Sequence, residues 1–241
     1  MKLLRNKVFL IICVLTLTVA LVAGMVVYFA IARPKQKQRE ELQHQIQVYR
    51  DAKIAQYRAE NDKYGDYEVD VAFLGDSLTD GYDLEKYYPQ FVTSNRGIGG
   101  DTTFDLQKRL AVSVYELKPK VAVMLIGANN METMMENYEE ISQGFHENLP
   151  DTQIVLLSLT AMGGEHWGSK NQLAAYNNVT IKLLAEKYGY TFIDLYTPLY
   201  DVITREVFDG YTSDGGHLTD EGYTVVTAEI TPVLENLLSN R

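Results

Sequence analysis

Residues 69–78 read Val-Asp-Val-Ala-Phe-Leu-Gly-Asp-Ser-Leu, an apolar run that closes on Gly, Asp and Ser. Similar compact runs, rich in Val, Ile and Leu, follow at residues 120–127, 152–159 and 190–195. Runs of this kind, without polar alternation, are typical of strands that are buried on both faces of a sheet. A shorter strand is predicted at residues 91–95.

Helical patterns separate these strands. They occupy residues 103–117, 132–149 and 170–188, and a last one covers residues 219–238. The alternating order of strands and helices predicts an α/β protein, with a parallel sheet of about five strands between two layers of helices. In such sheets, ligands bind beyond the carboxyl ends of the strands, so the residues that follow each strand are the first candidates for a site.

The N-terminal part carries a long apolar segment. Residues 8–32 contain no charged side chain, and a helix of this length crosses a hydrocarbon core of about 30 Å. A cleavable signal peptide is the alternative, supported by the small residues Ala30 and Ala32. The apolar region of a signal peptide, however, usually spans only about 7–15 residues, fewer than the segment at residues 8–32. We therefore expect residues 1–32 to form an uncleaved transmembrane anchor, with the N-terminus inside and the rest of the chain outside the cell.

A polar stretch without Gly or Pro follows at residues 36–62. Leu42, Ile46 and Tyr49 recur in it at helical spacing, which predicts a stalk helix within a linker of residues 33–66. A coiled-coil dimer stays open, because the pattern does not hold for three heptads. Residues 67–241 are then the globular domain.

The charge distribution argues against nucleic-acid binding. The chain has 241 residues, and beyond residue 32 it carries 19 basic and 32 acidic side chains, a net charge of −13. A domain this acidic repels phosphate backbones and anionic headgroups. The single cysteine, Cys13, leaves no intrachain disulfide and no cysteine-based metal site.

Polar clusters that could carry chemistry follow the predicted strands. Asp76 and Ser77 come after the first, residues 96–101 after the second and residues 128–130 after the third. Each cluster alone has a simple structural explanation, since a Ser between a strand and a helix is commonly a helix cap.

Two of the four histidines lie in loops. His44 and His146 fall in polar helical patterns and are expected at the surface. His217 follows Asp214 by three residues, a spacing that can place a carboxylate on the Nδ1 side of the imidazole and leave Nε2 free to accept a proton. His166 lies with Trp167 in a loop after the fourth strand. Both are candidates for a pocket wall, with ordinary loop packing as the alternative.

Four motifs occur in an order that is more specific than any one of them. They are Gly-Asp-Ser-Leu-Thr at residues 75–79, Asn-Arg-Gly-Ile-Gly-Gly-Asp-Thr-Thr at 95–103, Gly-Ala-Asn-Asn at 127–130, and the Asp214–His217 pair. In this order they resemble the four blocks of the SGNH, or GDSL-type, hydrolases, over roughly residues 69–237. In detail the second and third blocks, together with His217-Leu218-Thr219 and Gly222-Tyr223, are similar to the catalytic subunits of the platelet-activating-factor acetylhydrolases.

The resemblance implies a flavodoxin-like three-layer fold and a set of roles. Ser77 would be the nucleophile of a triad with Asp214 and His217. The oxyanion hole would be formed by the backbone N–H groups of Ser77 and Gly100 and by the side-chain amide of Asn129. No metal or organic cofactor is implied. The chain departs from the common pattern at Asn130, where many members carry Asp and the acetylhydrolase-like branch carries Asn.

The function predicted from these motifs is a serine ester hydrolase, lipase- or acylhydrolase-like, that cleaves short-chain or acetyl esters through an acyl-enzyme. Two alternatives remain at this point. One is a carbohydrate O-acetylesterase that acts on a cell-wall or surface polysaccharide, and the other is a non-catalytic surface module. With the N-terminal anchor, the expected location is the cell membrane, as a single-pass protein with an extracellular domain.

Overall fold

The computed structural model describes residues 2–240. Met1 and Arg241, the ends of the predicted anchor and globular domain, lie outside the described residues. Two compact units divide at Ala52 and Lys53. In the first, an α-helix covers Lys2–Val27 (α1), a π-helical turn covers Tyr28–Ala32, and a further α-helix starts at Arg33. That helix, α2, runs to Asn61 and thus enters the second unit.

One continuous helical stretch, Asn6–Asn61, is long and apolar enough by length and composition to cross a membrane, as a signal sequence also would be. All described side chains of residues 8–32 are exposed. Since a bilayer is the solvent that such side chains prefer, this exposure is consistent with the predicted anchor.

The second unit contains a five-stranded parallel sheet, as predicted. Its strands lie in the order β2-β1-β3-β4-β5, and every neighbouring pair is parallel. The strands are β1 (Val71–Gly75), β2 (Thr93–Gly97), β3 (Val121–Leu125), β4 (Gln153–Leu157) and β5 (Thr191–Ile193). A small antiparallel pair, β6 (Tyr200–Asp201) and β7 (Glu206–Val207), was not predicted from the sequence.

Eight α-helices of the described chain lie wholly within this unit, and four of them are single turns. The longer ones are α5 (Thr103–Lys108), α6 (Met135–Asn148), α8 (Asn171–Tyr188) and α10 (Asp220–Ser239). The single turns are α3 (Ser77–Asp80), α4 (Leu84–Tyr87), α7 (Gly164–Trp167) and α9 (Tyr196–Leu199).

Side chains alternate between two apolar cores, one on each face of the sheet. Val71 and Phe73 of β1 point to a core closed by α10, and Leu74 points to a core closed by α6 and α8. Because both faces are covered, β1, β3 and β4 are apolar at nearly every position, which is the pattern that predicted a three-layer α/β/α fold. That prediction is confirmed.

The following two elements differ most from the sequence prediction. The strand expected at residues 91–95 lies at Thr93–Gly97 and is largely polar, because it is an edge strand whose residues serve the loop after it. The helix expected at 103–117 is interrupted, since α5 ends at Lys108 and a π-helical turn follows at Ala111–Tyr115. Between them lies Arg109, which is buried and bonded to the ends of two strands.

Candidate active site

Ser77 stands at the carboxyl end of β1, as the first residue of α3. Asp76 precedes it and caps this turn by accepting a hydrogen bond from the Leu78 N–H at 3.1 Å. The Asp76 side chain is buried, with 1% of its surface exposed. Burial raises its pKa to about 6, although the Leu78 hydrogen bond acts in the opposite direction. The sequence signal for Asp76 was only its place beside Ser77.

His217 lies against Ser77 across the end of the sheet. Its Nε2 is 3.1 Å from the Ser77 Oγ, and its Nδ1 is 2.7 Å from the Asp214 Oδ2. The three side chains therefore form one hydrogen-bonded chain. The spacing of three residues between Asp214 and His217 brings both side chains to one side of a turn, as the sequence predicted.

The turn that carries this pair is tied to the loop after β4. Asp214 Oδ1 accepts the backbone N–H groups of Gly216 at 2.9 Å and His217 at 2.7 Å. Gly215 has φ +89°, and a Cβ there would lie 1.8 Å from the Gly163 carbonyl oxygen. Gly163 in turn donates its N–H to the Gly215 carbonyl at 2.8 Å. Only glycine fits this contact, which holds the turn in position.

Partial burial by itself would raise the pKa of Asp214. The backbone N–H and imidazole of His217 and the Gly216 N–H outweigh it and lower that pKa to about 2. Asp214 is therefore a carboxylate throughout the neutral range. A carboxylate on Nδ1 selects the tautomer in which Nδ1 carries the proton and Nε2 faces the serine.

The two other predicted donors stand on neighbouring strand ends. Gly100 follows β2, is exposed and has φ +80°, a backbone conformation that favours glycine. Asn129 follows β3 in a 3₁₀ turn, Ala128–Asn130, and its amide nitrogen donates to the Asp101 carbonyl at 2.9 Å. An amide nitrogen has two N–H groups, so this bond orients the side chain and leaves the second N–H for another acceptor.

A small cavity adjoins Ser77. It measures about 10 Å³, counted as the space open to the centre of a water molecule. That is about the space of one bound water. Its lining residues are Asp76, Ser77, Leu78, Ala128, Asn129, Met162, Trp167, Gly216 and His217. Gly100 is not among them, and its role stays a prediction.

Trp167 and His166 differ in position. The Trp167 ring is perpendicular to the His217 ring, with 6.2 Å between centroids, and lines the cavity. His166 is exposed and contacts the Trp167 ring edge-on at 5.0 Å. Of the two candidates for a pocket wall, Trp167 therefore contacts the site directly.

A buried ion pair that the sequence analysis missed lies below the site. Arg109 Nε donates to Asp101 Oδ2 at 2.7 Å, and both side chains are more than nine-tenths buried. The same guanidinium donates to the carbonyls of Gly75 at 3.0 Å and Arg96 at 2.9 Å. In the sequence, Arg109 was marked only by its place directly before the apolar residue Leu110. Arg109 thus joins the strand ends that precede Ser77 and Gly100.

Comparison with known proteins identifies the domain that carries this geometry. Residues 73–225 match the GDSL-like Lipase/Acylhydrolase family. The chain belongs to that family. The match contains Ser77, Gly100, Asn129, Asp214 and His217, and it confirms the resemblance stated from the motifs.

Relatives of this GDSL-like domain cover most of it. The platelet-activating factor acetylhydrolase IB subunit alpha2 of Rattus norvegicus is 30% identical over 193 residues, which cover 72% of this chain and 79% of the relative. The human protein of that name is 28% identical over 191 residues, with the same coverage.

Solved structures share the GDSL-like fold at lower identity. A Streptococcus pneumonia protein named after platelet activating factor superposes with a TM-score of 0.74 at 24% identity, covering 83% of this chain and 99% of its own. An acetyl xylan esterase from Geobacillus stearothermophilus gives a TM-score of 0.58 at 19% identity, covering 70% and 95%. At these identities the likeness supports the three-layer fold alone.

Proposed function

We propose that the chain is a serine ester hydrolase that forms an acyl-enzyme on Ser77. The observation that carries the proposal is the hydrogen-bonded chain from Ser77 Oγ through the His217 imidazole to the Asp214 carboxylate. A serine hydroxyl is a weak nucleophile unless a base takes its proton, and this chain supplies a base and the group that orients it. Membership of an acylhydrolase family agrees with this chemistry.

The reaction proceeds in two acyl transfers. The Ser77 Oγ attacks the ester carbonyl carbon while the His217 Nε2 takes the hydroxyl proton. The tetrahedral intermediate then collapses, the bond to the alcohol oxygen breaks, and His217 returns the proton to the leaving alcohol. Water repeats the sequence on the acyl-enzyme and releases the acid. Asp214 stays ionised and stabilises the imidazolium that forms in each half.

The oxyanion is stabilised by the backbone N–H groups of Ser77 and Gly100 and by the Asn129 amide in this proposal. Asn129 lines the cavity beside Ser77, and its bond to the Asp101 carbonyl fixes the amide plane before substrate arrives. Donors that are already oriented cost no reorganisation when charge develops, which makes such sites effective.

We propose a short acyl group, most simply acetyl, as the part that Ser77 receives. The cavity at Ser77 is about 10 Å³ and is bounded by the Trp167 and Met162 side chains, so it has space for about a methyl group. The curated relatives are named for an acetylhydrolase activity, in agreement with this size.

A carbohydrate O-acetylesterase is the second candidate. It is favoured by the exposure of Gly100, Asn129, Asp214 and His217, because a bulky alcohol beside exposed residues can extend into solvent. One structural neighbour is described as an acetyl xylan esterase. With α1 as a membrane anchor, the enzyme would act at the cell surface, with its catalytic domain outside.

A non-catalytic surface module is the competing proposal from another class. A non-catalytic role does not explain why Ser77, His217 and Asp214 form one hydrogen-bonded chain. We therefore favour the enzyme. Fluorophosphonate labelling distinguishes the two, because the probe phosphonylates an activated serine. We expect stoichiometric labelling of the wild type and none of Ser77→Ala. An unlabelled wild type, or equal labelling of Ser77→Ala, would overturn the hydrolase proposal.

Substrate class is tested with 4-nitrophenyl esters of increasing acyl length, beside acetylated xylan and acetylated peptidoglycan. A short-acyl pocket predicts that kcat/KM falls by about tenfold or more between acetate and octanoate, since the longer chain cannot enter a cavity of this size. Release of acetate from a polysaccharide would identify the alcohol part. Activity that increases with chain length would contradict the proposed acyl group.

Protease treatment of intact cells tests the proposed membrane orientation, in which the catalytic domain lies outside.

A further inference from the structure

The last turns of α2 contact the loop that follows β2. Tyr57 is fully buried there, and its hydroxyl donates to the Gly97 carbonyl at 2.7 Å. The Arg96 guanidinium lies over the Tyr57 ring, 4.9 Å from its centroid, and donates to the Tyr57 carbonyl at 3.3 Å. These contacts join the end of α2 to the rest of the second unit, residues 53–241, here called the hydrolase unit.

A second contact from the same helix reaches the other side of this loop. Lys53 Nζ lies 2.5 Å from Asp80 Oδ1, and Asp80 Oδ2 accepts the Gly99 N–H at 3.1 Å. Less than a fifth of each charged side chain is exposed, 19% for Lys53 and 17% for Asp80. Asp80 is the last residue of α3, the turn that Ser77 begins. One carboxylate therefore connects Lys53 to the residue before Gly100 and to the nucleophile's own turn.

We propose that Lys53 and Tyr57 are positioning residues for the oxyanion loop, here defined as residues 97–101. Lys53 holds the Asp80 carboxylate so that it fixes the Gly99 N–H, and Tyr57 fixes the Gly97 carbonyl. The loop is thereby held on both sides of Ile98, and the Gly100 N–H keeps its place beside the oxyanion. This inference rests on the proposed function, because it gives Gly100 the donor role assigned there.

Neither residue lies in the part of the chain that matches the family. That match begins at residue 73, whereas Lys53 and Tyr57 lie on α2. The helix that leads from the apolar N-terminal segment thus contributes two contacts to the loop of the catalytic domain. The oxyanion loop of this chain thus depends on a segment outside residues 73–225, the part that matches the family.

The expected effect is larger on catalysis than on stability. A partly exposed ion pair contributes little to folding, so loss of Lys53 leaves the unit folded. Catalytic donors, in contrast, must be held within about 0.5 Å of the productive geometry. Loss of one oxyanion donor costs about 10²–10³ in kcat, and a misplaced donor costs part of that.

The experiment measures hydrolysis of 4-nitrophenyl acetate by variants of the full-length chain in detergent. Rates are normalised to active sites titrated with a fluorophosphonate. We expect Lys53→Met to lower kcat about tenfold with KM within about twofold, because the oxyanion is stabilised only in the transition state. The melting temperature should stay within about 2 °C of the wild type. Lys53→Arg keeps the cation and should recover most of kcat.

Lys120→Met is the matched control. Lys120 Nζ pairs with Asp70 Oδ1 at 2.6 Å with 35% and 19% of the side chains exposed, before β3 and β1 at the opposite end of the sheet. It should leave kcat and KM unchanged. Tyr57→Phe removes a single hydroxyl and should lower kcat about fivefold or more, since the Gly97 carbonyl loses its donor.

A double variant tests the route through Asp80. If Lys53 acts through that carboxylate, Lys53→Met changes kcat by less than about twofold in an Asp80→Asn background. Full additivity, wild-type kcat in both Lys53→Met and Tyr57→Phe, or an equal loss in Lys120→Met would overturn the inference. If Lys53→Met does not fold, Tyr57→Phe decides: a loss of about fivefold or more in kcat supports the inference, and wild-type kcat overturns it. An unlabelled, inactive wild type would instead refute the proposed function.

Discussion

The Oγ of Ser77 lies 3.1 Å from the Nε2 of His217, although 140 positions separate the two residues in the sequence. Ser77 is placed by the end of β1, and His217 by a turn that is bonded to the loop after β4. Two independent parts of the fold therefore meet at one hydrogen bond.

Asp214→Asn should lower kcat by about 10³–10⁴ while KM changes little, because the amide no longer selects the imidazole tautomer that Ser77 needs. The measurement is steady-state hydrolysis of 4-nitrophenyl acetate. Asp209→Asn, at an exposed position five residues earlier, is the control and should behave as the wild type. Wild-type kcat in Asp214→Asn would contradict the proposed triad.

Asn129→Ala should lower kcat by about 10²–10³ with KM nearly unchanged, since the amide acts on the charge that develops in the transition state. Asn148→Ala is the matched control, because that exposed side chain donates to the Gly144 carbonyl of its own helix. A rise in KM with unchanged kcat would instead assign Asn129 to substrate binding.

Arg109→Met should destabilise the hydrolase unit by about 3–5 kcal/mol, because it removes the guanidinium from buried Asp101 and from the Gly75 and Arg96 carbonyls. Arg109→Lys should not restore stability, since a single ammonium cannot reproduce the fork of donors. The measurement is the midpoint of urea unfolding. Exposed Arg58→Met should change the free energy of unfolding by less than about 0.5 kcal/mol. A small effect of Arg109→Met would show that the pair is dispensable.

Asp76→Asn should change stability in a pH-dependent way. The folded pKa of Asp76 is raised to about 6, above its value in an unfolded chain of about 3.9. Between these values the folded state holds a proton that the unfolded state releases, so the free energy of unfolding decreases as pH rises from 4 to 7. Asparagine does not ionise, so the variant does not show this decrease in the free energy of unfolding. Its amide oxygen still offers an acceptor for the Leu78 N–H.

The variant should therefore gain about 1–3 kcal/mol relative to the wild type on going from pH 4 to pH 7.5. Urea unfolding at the two pH values measures the difference. If the free energies of unfolding of variant and wild type differ by the same amount at both pH values, Asp76 does not titrate in this range.

Much of the architecture follows from local patterns. The apolar runs that became β1, β3 and β4 need no distant information, because a strand covered on both faces excludes polar side chains from both. Trp167 and His166 show where such patterns end. Both were predicted in one loop from one sequence signal and lie in the single turn α7, yet of the two only Trp167 lines the cavity beside Ser77.

The sequence by itself determined the order of strands and helices, the family, and the candidate residues Ser77, Asp214 and His217. These depend on periodicity and on short motifs, which are readable along the chain. Only the tertiary structure decided that Arg109 joins two strand ends and that Lys53 reaches Asp80. A buried or half-buried charge is stabilised by partners that are distant in sequence, so its role depends on distances that no local pattern contains.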